Sequence, residues 1–124
     1  AHSEDLADAL DWGVHLFTAY DVHNNGITDI LDTIPDQSNI IISLDVDALD
    51  PSIIPGVIGR TPGGLTYFQT LDLIKGASEK GRICGINFVE FMPDVDIDGL
   101  GALTTSRLIM ASMGILSRQQ SKSI

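Results

Sequence analysis

The sequence predicts an α/β fold, a parallel sheet with helices packed on its faces. Three observations carry this. Segments with helical spacing of apolar residues alternate along the chain with short runs rich in β-branched residues. The stretches between the predicted strands contain helices, as crossovers between parallel strands require. The run Ile40–Leu44 is apolar at nearly every position, which marks a strand buried on both faces.

Each element has its own signal. Ser3 reads as the N-cap of a first helix with acids in its opening turn; Leu6, Ala9 and Leu10 form its stripe and Gly13 its stop. Val14–Tyr20 (VHLFTAY) reads as a strand. A second helix is expected from about Asn25 to Ile34, with Ile27, Ile30, Leu31 and Ile34 inward and Pro35 ending it. The Ile40–Leu44 strand and a Pro- and Gly-rich loop, residues 51–65, follow. Thr66 can cap a third helix whose inward positions include Phe68, Leu71, Ile74 and Ala77. Arg82–Phe91 is another strand, Met92–Gly99 an acidic loop, and Ala102–Leu116 a last helix. The order is α-β-α-β-α-β-α, with right-handed crossovers. Three strands make a thin sheet, and they are apolar throughout, so at least one edge expects a neighbour.

The 124 residues suffice for one compact unit, here residues 1–124 as a single piece. The net charge of −10 argues against nucleic acid and suits a protein that holds cations. No apolar stretch approaches the roughly 20 residues of a membrane span, so no membrane partner is expected. The opening AHSEDLADAL has no basic start or apolar core of a secretory leader, and Ala1 stands where an initiator Met would. Cys84, the single cysteine, lies within RICGINFV and reads as a buried core thiol; a reducing cytoplasm is the expected location.

The apolar run ends in SLDVDALDP, with Asp45, Asp47 and Asp50 close together. Clustered carboxylates resist ionising beside one another, so a cation or good solvation is required. Residues two apart in a strand share a side, which sends Asp45 and Asp47 together to the strand's carboxyl end, where open α/β sheets bind ligands. Paired carboxylate oxygens suit Mn²⁺ or Mg²⁺. The alternative is that these acids cap the following loop. Glu90 would reach the same edge if its strand neighbours the first; a salt bridge to Arg60 or Arg107 is its alternative.

Other chemistry is weaker. DVDIDG (Asp94–Gly99) opens like a calcium loop, but the twelfth position is Thr105 rather than Glu, so it reads as a solvated loop leading into the last helix. The Asp45-x-Asp47 pair also fits the nucleophile strand of an aspartyl phosphatase, although Ala48 follows where Thr or Val is usual. TPGGL (Thr61–Leu65) lacks the Lys of a phosphate-binding loop and reads as a tight turn. His2, His15 and His23 lack metal-ligand spacing and read as structural.

SLDVDALDPSIIPG, TPGGLTY and GINFVEFMPDVD, in this order and spacing, resemble the ureohydrolases, the family of arginase and agmatinase, over nearly the whole chain. The resemblance implies a three-layer α/β/α fold around a parallel sheet. It implies hydrolysis of a small guanidino substrate to urea and an amine, with two Mn²⁺ ions activating a bridging hydroxide. Asp45 and Asp47 match two metal ligands of the family's last ligand motif, and Glu90 matches the acid that holds the substrate guanidinium. The loop Gly56-Val57-Ile58-Gly59-Arg60-Thr61-Pro62 departs from the usual Gly-Thr-Gly-Thr-Pro, and Asn87 stands where an Asp is frequent. The wording of this loop is closer to agmatinase than to arginase.

The family's earlier ligand motifs, Gly-Gly-Asp-His and Asp-Ala-His-x-Asp, do not occur here. The resemblance therefore makes this chain the C-terminal portion of a ureohydrolase, with half of the Mn²⁺ ligands outside it and no complete catalytic set inside. The chain alone is expected to be inactive and the intact protein a homo-oligomer. A non-catalytic partner subunit is the alternative outside the enzymes.

Overall fold

The computed structural model describes residues 3–121, with side chains through residue 119; His2 lies outside these residues. Seven helices and strands follow one another: α1 (Ser3–Asp11), α2 (Ala19–Asn25), α3 (Thr28–Asp32), β1 (Asn39–Asp45), α4 (Tyr67–Lys80), β2 (Arg82–Val89) and α5 (Leu100–Ser121). Short 3-10 turns follow each strand, at Val46–Ala48 and Pro93–Val95. β1 and β2 pair in parallel, with α4 as the crossover.

The first expected strand, Val14–Tyr20, is absent from the described residues. Residues 14–18 are irregular and α2 begins at Ala19. The reason is local. Thr18 Oγ1 accepts from Asp21 N at 3.1 Å and Asp21 Oδ2 accepts from Thr18 N at 2.8 Å, a reciprocal cap that starts a helix. Val14 and Leu16 stay exposed, with no ladder to join. Gly26, at φ +77°, ends α2 and confines α3 to five residues, shorter than the helix expected there.

The third and fourth expected helices form. Thr66 caps α4 in a second reciprocal cap, with Gln69 as the partner. Ile74 and Ala77 turn inward as the spacing predicts, but Phe68 stays exposed. Gly76 fits because Leu31 of α3 packs directly onto its backbone. α5 is longer than expected, and its buried positions Gly101, Thr104, Thr105, Leu108 and Ser112 recur at helical spacing. By length and mean composition Leu100–Gln119 reaches what a membrane span needs, contrary to the expectation. This helix nevertheless lays one face on α4 and β2.

The core lies on one face of the sheet. Ile40, Ile42 and Leu44 of β1 and Ile83, Ile86 and Phe88 of β2 point into it. Around them pack Ile74 and Ala77 of α4, Leu108 of α5 and the loop residues Val46, Leu49, Ile54 and Val57. Among the described residues the opposite face is bare: the burial of β1 alternates strictly, and Ile41 on that side is 76% exposed. Parallel sheets are normally covered on both faces. This chain thus carries the sheet and one helical layer, an incomplete α/β fold. The bare face also corrects the expectation for Cys84, which is exposed because it stands beside a register shift on that side.

Candidate active site at the carboxyl ends of the strands

The register brings the predicted acids to one edge. Asp45, the last residue of β1, pairs with Val89, so Glu90 is the first residue beyond its neighbour strand. Glu90 leaves the strand with φ +66°, a left-handed conformation unusual for a side-chain-bearing residue. Such a conformation persists only where surrounding structure enforces it. It also ends β2 two residues earlier than the pattern predicts.

Asp47 reaches this edge by another route than expected. It lies in the 3-10 turn after β1, so the two-residue alternation of a strand does not govern it. Its carboxylate rests against Gly59, where an added Cβ would stand 3.2 Å from Oδ2. The loop carrying Gly59 therefore limits the space open to the Asp47 carboxylate.

The structure sorts the loop acids into two groups. Asp50 accepts from Ser52 N and Gly63 N, both at 2.9 Å, so it ties the loop after β1 to the Gly63–Gly64 turn. Bonds from Ser52 and then from the Gly63 amide hold its carboxyl below the ordinary range, against a small opposing effect of burial. Asp96 accepts from Gly101 N at 2.9 Å, Ala102 N at 3.0 Å and Ile97 N at 2.9 Å, capping the first turn of α5. Burial raises its pKa, yet these amides and the Arg60 charge together leave it lowered. DVDIDG does lead into the last helix, as expected, but its central acid faces the helix rather than solvent.

Asp45, Asp47 and Glu90 form the second group. Among the described residues their carboxylates accept no hydrogen bond and join no ion pair. Asp45 occupies the N-cap position of the 3-10 turn without its side chain capping it. The capping alternative thus holds for Asp50 and fails for Asp45 and Asp47. Arg60 does not pair with Glu90 either. Its Nε donates to Pro55 O at 2.8 Å and its Nη2 to Val95 O at 2.6 Å.

Two free aspartates present hard oxygen donors of the type Mn²⁺ or Mg²⁺ accepts. Among the described residues no third His, Cys, Asp or Glu joins them to complete a metal-binding group. The residues fit as part of a metal site. His15 is exposed in the irregular segment before α2. His23 lies in α2 rather than after a strand, and is structural as expected: Nε2 donates to Gly64 O at 2.9 Å, and Nδ1 lies 3.3 Å from Gln69 Nε2. A concavity of about 980 Å³ lies at the amino ends of the strands beside Lys80 and Arg82 and includes none of the three acids. A smaller one of about 390 Å³ lies by the Gly63–Gly64 turn, between His23, Asp50 and Tyr67.

Free carboxylates at the carboxyl edge of a helix-covered parallel sheet define an α/β protein with an acidic site at its strand ends. The model of the Arginase family matches residues 1–114, and the chain belongs to that family. It is 35% identical over 118 residues to the N(1)-aminopropylagmatine ureohydrolase of Thermus thermophilus, covering 94% of this chain and 39% of that protein. Formimidoylglutamase of Bacillus subtilis superposes with a TM-score of 0.81 at 25% identity, over 93% of this chain and 37% of the other. The agmatine ureohydrolase of Thermoplasma volcanium does so with a TM-score of 0.72 at 27% identity, over 86% and 36%. The fold is the arginase fold, and the chain spans about two fifths of the length of these relatives.

Proposed function

We propose that this chain is the C-terminal part of a ureohydrolase that cleaves a guanidino compound to urea and an amine, with agmatine or a close derivative as substrate. A guanidino acid such as guanidinobutyrate is the next substrate class. The carrying observation is the trio of partnerless carboxylates, Asp45, Asp47 and Glu90, at one edge of the sheet. Other acids nearby are consumed by loop and helix amides, so the free trio is not explained by folding. The names of the relatives support the guanidino chemistry and the choice of an agmatine-like substrate.

In this reading Asp45 and Asp47 would hold part of a binuclear Mn²⁺ site whose remaining ligands would lie outside the chain. When bound there, Mn²⁺ would supply a water of lowered pKa for attack at neutral pH. Glu90 receives the planar guanidinium through two parallel hydrogen bonds, which fixes the orientation of the central carbon. Its left-handed backbone turns the side chain off the line of β2 at the point where the strand ends. Water adds to the guanidinium carbon and a C–N bond to the alkyl amine breaks, giving urea and the free amine.

The test is urea release from agmatine, guanidinobutyrate and arginine by the longer protein that contains this chain, with and without Mn²⁺. Asp45→Asn and Asp47→Asn should abolish turnover and bound metal, and Glu90→Gln should raise KM for the guanidino substrate. Unchanged activity in both aspartate variants would refute the assignment. Residues 1–124 alone should release no urea, since Asp45 and Asp47 are the only candidate ligands among the described residues; metal-dependent release by them would overturn that.

A further inference from the structure

We propose that Arg60 is a positioning residue that clamps the loop beside Asp47 to the turn after Glu90, so that its forked guanidinium sets the spacing between these acids. The inference rests on the reading of Glu90 as the substrate-binding acid. Arg60 spans two segments with separate donors, Nε to Pro55 O and Nη2 to Val95 O. Pro55 lies in the same loop as Gly59, against which Asp47 rests. Val95 belongs to the turn that follows Glu90, Phe91 and Met92.

Two further contacts run along the same seam. Met92 N donates to Gly56 O at 2.7 Å. Gly56 also lies so close to Phe91 and Asp96 that an added Cβ would stand 2.6 Å from Phe91 Cε2 and 3.0 Å from Asp96 Cγ. The seam begins two residues after Glu90, whose left-handed φ needs outside support. Arg60 is itself exposed, so its guanidinium is not held there by burial. A fork that donates to two carbonyls at once matches Arg and not Lys, whose ammonium is a single point charge on a flexible stem.

The experiment uses the longer protein that contains this chain, with Arg60→Met and Arg60→Lys. The first readout is amide hydrogen exchange, which needs no activity. The Met92 amide should exchange about tenfold faster or more in both variants, while the core amides of Ile74 and Leu108 stay protected. Unchanged exchange at Met92 overturns the clamp, and wild-type protection in Arg60→Lys overturns the role of the fork. The second readout is kinetic. Arg60→Met should lower kcat/KM about tenfold, mainly through KM, as slight misplacement of an orienting group does. In a Glu90→Gln background the same substitution should add little further loss. Fully additive losses overturn action through Glu90. If the wild-type protein releases no urea from any guanidino compound, the proposed function fails, and exchange at Met92 alone then decides whether Arg60 clamps the loops.

Discussion

The carboxylate of Asp47 rests against Gly59, leaving 3.2 Å between Oδ2 and the place a Cβ would take. Asp47 thus has a neighbour that limits its position but offers it no hydrogen bond. The same loop shows two harsher contacts, which rank three substitutions.

A Cβ on Gly64 would stand 2.5 Å from the Leu49 carbonyl carbon and 2.6 Å from Asp50 N, backbone atoms that cannot swing aside. On Gly56 it would meet the Phe91 ring, which can shift in part, whereas at Gly59 the obstacle is a free carboxylate. Alanine should therefore destabilise most at Gly64, by about 1–3 kcal/mol at Gly56, and by under about 0.5 kcal/mol at Gly59. Urea denaturation of the three variants checks the order, and a Gly59 variant as unstable as Gly64 would refute it.

The division of the acids predicts opposite behaviour on neutralisation. Asp45→Asn and Asp47→Asn remove charges that bond nothing among the described residues, so Tm should stay within about 2 °C. Asp50→Asn weakens two bonds that hold the loop after β1 and should lower Tm clearly. Thermal melts followed by far-UV circular dichroism separate the cases.

Acid should act through Asp50 and Asp96. Both are held below their ordinary value of 3.8 in the folded chain. Just below that value the unfolded carboxylates take up protons while the folded ones remain ionised. Their contribution is therefore complete above pH 3.8 and is lost as pH falls through the lower folded values. A stability profile from pH 6 to 2 should flatten at its acid end in an Asp50→Asn, Asp96→Asn double variant.

Helix caps set the next magnitude. Thr66→Ala removes the hydroxyl that accepts from Gln69 N at 3.1 Å and should cost about 1 kcal/mol. Thr66→Ser should recover most of it, since the hydroxyl is retained. A Ser variant no more stable than the Ala variant would show that methyl packing, not capping, is the cause.

Cys84 is exposed on the bare face. A thiol reagent should label it in the folded chain without denaturant, at a rate little changed by unfolding. Protection until unfolding would contradict the open face.

Local chemistry made much of this protein legible in sequence. Thr66 followed by Gln69 announces a capped helix, and that helix forms, because a cap involves only neighbours. The β-branched run before Asp45 announces β1, and the helical crossover announces parallel pairing. Thr18 and Asp21 carry a similar capping signal for α2, within a segment whose apolar residues suggest a strand. Since apolar residues make a strand only where a ladder receives them, and Val14 and Leu16 meet none, the cap decided the segment.

The sequence by itself determined that Asp45, Asp47 and Glu90 end their runs in an acidic, motif-bearing context, because strand ends and residue types are local properties. Only the tertiary structure decided which acids are free. Asp50 and Asp96 are as acidic in sequence as Asp45, yet beyond the neighbouring amides of Ser52 and Ile97 their partners lie on Gly63, thirteen residues away, and on the first turn of α5. Arg60 differs likewise: sequence offers Glu90 as its partner by charge, and folding gives it two carbonyls from loops forty residues apart, because the loops close over the edge of the sheet and leave backbone acceptors within reach of its fork.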